Sequence, residues 1–319
     1  MSRYLVTGCA GFIGSWITQS LVERGEDVRG LDNFETGRRE NFSAFENKFE
    51  FIECDLRDAG RTARACEGID AIFHVAALPS VPRSVKDPRT SHTANIDGTF
   101  NLLEGARAAG VRRVVYSASS SAYGNQPGFP RVETMVPMPI APYPVQKLAG
   151  EFYMKSFWQV YGIETVCLRY FNIFGPRQDP DSPYSGVMAR FALQMMRGER
   201  PTIFGDGEQG RDFTYIDNAV SANLLAMAAP AENVAGKVFN VACGDRHTLN
   251  KTFHVLADLF DFKEEPIYGP NRAGDIQNSL ADITAARTAF GYIPAVSFEE
   301  GLRRTIEWYK DQYATAVVR

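Results

Sequence analysis

Sulfur and imidazole are scarce in this chain. Among 319 residues there are five cysteines and four histidines. Cys9, Cys54, Cys66, Cys167 and Cys243 never fall in Cys-x-x-Cys spacing, and no two histidines stand at His-x-x-x-His. Spacings of that kind turn two ligands toward one ion, so no metal centre held by the protein is expected. An odd number of cysteines, four of them among apolar strand-like neighbours, fits reduced core thiols in a cytoplasmic protein. Basic charge is also in short supply: 34 Lys and Arg stand against 38 Asp and Glu, a formal net charge of −4. No nucleic-acid partner is expected without a basic field. Apolar runs such as Leu224–Ala229 stop far short of the roughly 20 residues that cross a bilayer, so no membrane partner is expected either. The N-terminus runs into a strand-like segment without the apolar core of a signal peptide. Repeats, low-complexity tracts and charged tails are absent. What remains is an ordinary globular composition, 45% hydrophobic and 23% charged, at a length that suits about two domains.

The first half alternates two periodicities. Short β-branched runs occur at Tyr4–Thr7, Asp27–Leu31, Phe49–Cys54, Ala71–Val75, Arg113–Ser117 and Thr165–Tyr170. Amphipathic stretches such as Phe12–Arg24, Thr93–Ala109 and Val145–Tyr161 lie between most of them. Nearly continuous apolar strands separated by helices predict a doubly wound parallel α/β sheet covered on both faces. After about Asn172 Gly and Pro become frequent and the rhythm breaks. We therefore expect a first domain over 1–172, rejoined by part of 212–245 at Val238–Ala242. A smaller mixed α/β domain should occupy 173–319.

Between the first strand and first helix stands Gly8-Cys9-Ala10-Gly11-Phe12-Ile13-Gly14. Glycines at this spacing allow a tight turn, close approach of backbone to a pyrophosphate, and close packing of helix on strand. The helix N-terminus adds free N–H groups. This makes the expected sheet Rossmann-type. Asp32, 24 residues beyond Gly8, ends the second strand, where a carboxylate accepts from ribose hydroxyls and repels a 2′-phosphate. NAD is therefore expected over NADP, although Arg38 and Arg39 are residues able to hold that phosphate. Asp55 either receives the adenine amino group or caps the helix starting near Asp58. The expected cofactor set is Gly8, Gly11, Phe12, Ile13, Gly14, Asp32, Asn33, Asp55, Leu56, Ala76 and Ala77, with Tyr143 and Lys147.

Tyr143 and Lys147 are four residues apart at the start of a helix, hence on one face. A free phenol titrates near 10 and is a poor base at neutral pH. A neighbouring ammonium and a cationic nicotinamide should pull it down. The fifth strand runs into Ser119, Ser120 and Ser121, at the strand end where such sheets bind ligands. His74 reads as a satisfied core histidine, Asn95 as a structural hydrogen-bonding residue, and Leu193, Met195 and Met196 as one buried helix face.

In this order these residues resemble the extended short-chain dehydrogenase/reductase superfamily, and within it the nucleoside-diphosphate-sugar 4-epimerases. The resemblance implies a catalytic triad of Ser119, Tyr143 and Lys147. Pro144 is a departure, tolerated in a helix's first turn. Arg169–Gly175 resembles the family's segment whose Asn, here Asn172, contacts the substrate diphosphate. Arg211-Asp212-Phe213 and Arg272-Ala273-Gly274-Asp275 resemble its nucleotide-binding elements, an Arg on the phosphates and an Asp on the uridine ribose. Ser80, Arg83, Ser120, Ser121, Gln178 and Ser279 complete the implied substrate set. No carboxylate follows Ser119, whereas the related dehydratases and decarboxylases carry one near there; epimerisation is the implied reaction.

The implied course takes the C4 hydrogen as hydride to NAD, turns the 4-keto sugar over in its pocket, and returns hydride to the other face. Ser279 occupies the place where a bulky Tyr restricts family members to plain hexoses. UDP-GlcNAc/UDP-GalNAc is therefore the expected pair, with UDP-Glc/UDP-Gal second and UDP-hexuronic acids third. A dehydratase, a decarboxylase, or an NAD-binding sensor without turnover are the alternatives. The resemblance also implies a homodimer pairing through helices 93–109 and 145–161.

Overall fold

The computed structural model describes residues 2–180, 186–270 and 278–313. The apolar runs form β1 (Arg3–Thr7), β2 (Asp27–Asp32), β3 (Glu50–Glu53), β4 (Ala71–His74), β5 (Arg113–Ser119) and β6 (Glu164–Tyr170). A seventh strand, Lys237–Val241, joins from the second half. All seven are parallel neighbours, in the order Lys237–Val241, β6, β5, β4, β1, β2, β3. Burial on both faces explains their composition: Val114, Val115 and Tyr116 are all fully buried. The chain winds outward from β1 to β3, then returns to place β4 on β1's other side. Their connections leave in opposite directions, and the carboxyl ends of β1 and β4 flank the crevice where sheets of this kind bind ligands.

Helix α1 (Phe12–Glu23) follows Gly11 with no side-chain cap, so its first N–H groups face the crevice. Two short helices follow later, α2 (Ala59–Ala65) and α3 (Val81–Lys86). The stretch expected as one helix over 93–109 is instead α4 (Pro88–His92), a π turn over Thr93–Asp97, and α5 (Gly98–Ala109). Asn95 lies in that widened turn, where its amide bonds both the N–H and the carbonyl of Leu78, at 2.7 and 3.0 Å. Helix α6 (Pro142–Tyr161) starts three residues earlier than the pattern indicated, because both prolines fit its first turn.

Helix α6 is seated on the sheet at consecutive positions. Gly150 lies flat against β5: a Cβ there would sit 2.3 Å from the Tyr116 hydroxyl. Lys147 Nζ donates to the Ser117 carbonyl at 2.8 Å. One residue beyond the glycine, Glu151 holds Arg169 of β6 through two parallel bonds of 2.9 and 2.7 Å, with both side chains buried.

The second half is woven into the first. Helix Ile216–Ala228 packs on α1 and β5, and its neighbour strand extends the sheet. Beyond them lie three two-stranded pairs and the helices Val187–Met196, Leu249–Phe260, Thr284–Phe290 and Phe298–Tyr313. In Val187–Met196 the buried face is Met188, Phe191, Ala192 and Met195, so Leu193 and Met196, expected inside, are only half-buried.

Removing one member of a buried ion pair strands the other. Glu151→Leu should therefore lower stability by about 3–5 kcal/mol, read from urea unfolding. Replacing Arg169 by Leu as well should recover most of that loss, since neither charge is then stranded.

Candidate active site

The crevice is built by backbone first. Gly8 has a left-handed φ of +72, and a Cβ on it would lie 2.8 Å from the Ala76 nitrogen. A Cβ on Gly14 would lie 2.0 Å from the Gly8 carbonyl oxygen. No side chain fits at either place, and the turn stays open for a ligand's phosphates. The fit to a dinucleotide is therefore steric as well as electrostatic.

Behind this turn β1 and β4 are joined by side chains. Thr99 gives its hydroxyl proton to the Asn95 carbonyl at 2.7 Å, so it accepts from His74 Nε2 at 2.8 Å. His74 Nδ1 is then the acceptor for the Thr7 hydroxyl at 2.8 Å, and Thr7 in turn accepts from the N–H groups of Val75 and Ala76. Burial depresses the His74 pKa to about 3, so the ring is a neutral spacer, as the apolar setting suggested.

All thirteen residues assigned to the cofactor from sequence line one cavity of about 380 Å³. The Asp32 carboxylate accepts from the N–H groups of Ala10 and Phe34, at 2.9 and 2.8 Å; burial raises its pKa. Asp55 is not the helix cap. That place is taken by Asp58, which accepts from the Arg61 N–H. Asp55 instead takes hydrogen bonds from Arg57 and Asn33, and the guanidinium chiefly holds its pKa down to about 2.

At the other end, Tyr143 and Lys147 face the same cavity from α6. The expectation that the ammonium lowers the phenol pKa is not met. Burial pushes Tyr143 up to about 12, and the hydrogen bond with Ser119 opposes it. Burial also brings Lys147 down to about 8 against the pull of Glu151. Desolvation disfavours both charged forms and exceeds the pairing contributions. Ser119 bonds the Ser121 hydroxyl at 2.8 Å. Ser120 and Ser121 follow on a 3-10 turn and line neither cavity, whereas Ser117 and Ala118 line the first.

A second cavity of about 260 Å³ adjoins, lined by Asn172, Arg190, Arg211 and Phe213 among others. Gln178 lines both. Ser279 is tied to the strand of Arg211 through a 3.0 Å bond to the Gly210 carbonyl. Ser80 caps α3 with φ +98 and Arg83 lines the first cavity. Arg272 and Asp275 lie outside the described residues.

Three contributors carried no sequence signal that was read. The Ser84 hydroxyl accepts from the Tyr143 N–H at 3.0 Å. Gln146 receives Ser91 and Asn95 at 2.7 and 2.8 Å, locking α6 to the π turn. Tyr170 bonds Ser117 and Asn223 beneath the cleft. Gln146 was findable, being one helical turn beyond Tyr143 on the same face; the other two were not.

A phenol and an ammonium presented to a dinucleotide crevice are the working parts of a short-chain dehydrogenase/reductase, and that is the class this fold defines. Comparison with known proteins narrows it. The model of the NAD dependent epimerase/dehydratase family matches residues 4–242, and the chain belongs to that family. A UDP-glucose 4-epimerase of Mycolicibacterium smegmatis is 40% identical over 97% of this chain and 99% of its own length. The UDP-glucose 4-epimerase of Thermotoga maritima, solved with UDP-glucose, superposes with a TM-score of 0.92 at 39% identity, over 97% of this chain and 99% of that one. The UDP-N-acetylglucosamine 4-epimerase of Methanobrevibacter ruminantium M1, solved with UDP-N-acetylmuramic acid, gives 0.92 and 39% over 98% and 99%.

Lys147 makes a prediction about pH. Its folded pKa of about 8 lies below the ordinary 10.5, so between those values the unfolded chain holds a proton that the folded chain has released. Stability should rise with pH across that window relative to Lys147→Met, which has no such group. Thermal midpoints of the two proteins from pH 7 to 10 measure the difference; parallel curves would exclude a buried titrating lysine.

Proposed function

We propose that this chain is an NAD-dependent UDP-sugar 4-epimerase acting on UDP-GlcNAc and UDP-GalNAc, with UDP-Glc and UDP-Gal as a second pair. The observation that carries this reading is that the two cavities are neighbours sharing Gln178. Tyr143 and Lys147 face one, Arg211 and Asn172 the other, and Gln178 borders both. A sugar in the first cavity with its diphosphate in the second would lie on the side of Tyr143.

NAD is held by the glycine turn and by Asp32, and when bound it supplies the chemistry of accepting a hydride and returning it. The rest belongs to the protein. Tyr143 takes the C4 hydroxyl proton and later gives it back. Ser119, hydrogen-bonded to the phenol, orients it and supports the phenolate. Lys147 is fixed in the same cavity by the Ser117 carbonyl, and with NAD bound the added positive charge would favour the phenolate. Arg211 and Asn172 keep the diphosphate anchored while the 4-keto sugar turns, since guanidinium forks suit phosphate oxygens. Arg272 and Asp275 are assigned to the nucleotide, and Ser80, Arg83, Ser120 and Ser121 to the sugar side. The backbone of Ser279 bonds the Gly210 carbonyl, next to Arg211, and we assign its small side chain to the place where an N-acetyl group would need room.

We further assign 1–172 to the cofactor and most of 173–319 to the nucleotide sugar. A homodimer is supported by Phe100, Phe152, Tyr153, Val160 and Tyr161, large apolar side chains exposed on α5 and α6. Free cysteines throughout support a reducing, cytoplasmic setting.

Tyr143→Phe should retain fold and NAD while turnover falls by roughly 10²–10⁴; product analysis with UDP-Glc, UDP-GlcNAc and UDP-GlcA in parallel reads both rate and sugar. Near-normal turnover would exclude the phenolate role. Ser279→Tyr should suppress the N-acetylated pair selectively, and an equal loss on UDP-Glc would remove Ser279 as the determinant.

A further inference from the structure

Arg38 and Arg39, which raised the question of a 2′-phosphate, and their neighbour Arg57 are all engaged. Arg39 pairs with Glu46 and lies over the rings of Phe34, Phe42 and Phe51. Arg57 pairs with Asp55 and Glu35. Arg38 is nearest to Asp32: its N–H bonds the Ala10 carbonyl, while the Ala10 N–H bonds Asp32. A Cβ on Gly37 would lie 2.8 Å from the Asp32 carboxylate. The backbone of Arg38 thus runs alongside Asp32, and its guanidinium is turned to Asp179, at 2.5 Å.

Asp179 comes from far along the chain, 141 residues after its partner. The preceding residues are pinned one by one. The Trp16 indole donates to the Pro176 carbonyl at 3.0 Å, the Arg177 guanidinium stacks 4.0 Å over the Trp16 ring, and Tyr309 donates to the Gln178 carbonyl at 2.8 Å. This delivers Asp179 to the rim of the cofactor cavity, which it lines together with Asp32 and Asn33. The Arg38 and Asp179 side chains are 51% and 29% exposed, and a pair so exposed adds little to stability. Its effect is on what Arg38 can bind.

We propose that Asp179 is a determinant of cofactor choice: by holding Arg38 it denies a 2′-phosphate the guanidinium of Arg38, and so excludes NADP. This rests on dinucleotide binding in the cleft and not on which sugar is turned over. The other two pairs form within their own loop region and stay in place when Asp179 changes, which isolates the effect.

The test titrates protein freed of nucleotide with NAD and with NADP by calorimetry. Asp179→Asn should bind NADP roughly tenfold more tightly than the unaltered protein, the worth of one charge-assisted phosphate contact, with NAD within about twofold. The gain should shrink in high salt and vanish in Asp179→Asn/Arg38→Ala. Unchanged NADP affinity in Asp179→Asn, or a gain that survives loss of Arg38, would overturn the proposal. If the unaltered protein binds NADP as tightly as NAD, the proposal also falls, whereas binding neither would instead overturn the cleft as a dinucleotide site.

Discussion

The seating of α6 on β5 and β6 is the constraint on which the site depends. Gly150 brings helix and sheet together so closely that the Tyr116 hydroxyl occupies the space of a side chain. At that distance no solvent enters beneath the helix, so the charges there must find partners in the protein. Glu151 meets Arg169, and Lys147 meets the Ser117 carbonyl. Tyr143, one turn up the same face, is thereby fixed at the mouth of the crevice, with Ser84 holding its N–H. The cost appears in the titration of the two groups. Both are shifted toward their neutral forms, because burial outweighs the hydrogen bonds offered to them.

The glycine turn was legible from sequence because its requirement is local: three positions without side chains between a strand and a helix. The strands were legible because both faces are covered, which writes a continuous apolar run. The π turn at Thr93–Asp97 was not, since it lies where Asn95 reaches to a loop 17 residues earlier. The buried face of Val187–Met196 was misjudged for the same reason: only tertiary packing decides which of several adjacent methionines turns inward. The Tyr143 pKa was read from its neighbours in sequence, whereas the dominant effect is desolvation, which sequence spacing does not report.

Structure crosses the boundary expected at residue 172. The second half supplies the strand that extends the sheet beside β6 and the helix that covers α1 and β5. Asp212 ties this part together, accepting from the N–H groups of Cys243, Gly244 and Ala281. Its neighbour Arg211 therefore reaches the second cavity from a backbone anchored to the end of the sheet. These bonds tie the wall of the second cavity to the end of the sheet.

A net charge of −4 says little about how charge is arranged. Around the end of the cleft formed by β2 and β3, Asp32, Glu35, Glu46, Asp55 and Asp179 outnumber Arg38, Arg39 and Arg57. A further dianion placed there meets carboxylate without a spare cation. At the second cavity the balance reverses, with Arg190 and Arg211 in its wall and no carboxylate lining it among the described residues. One molecule thus presents an acidic rim at one cavity and a basic wall at its neighbour, a contrast in sign that pocket shape alone does not supply.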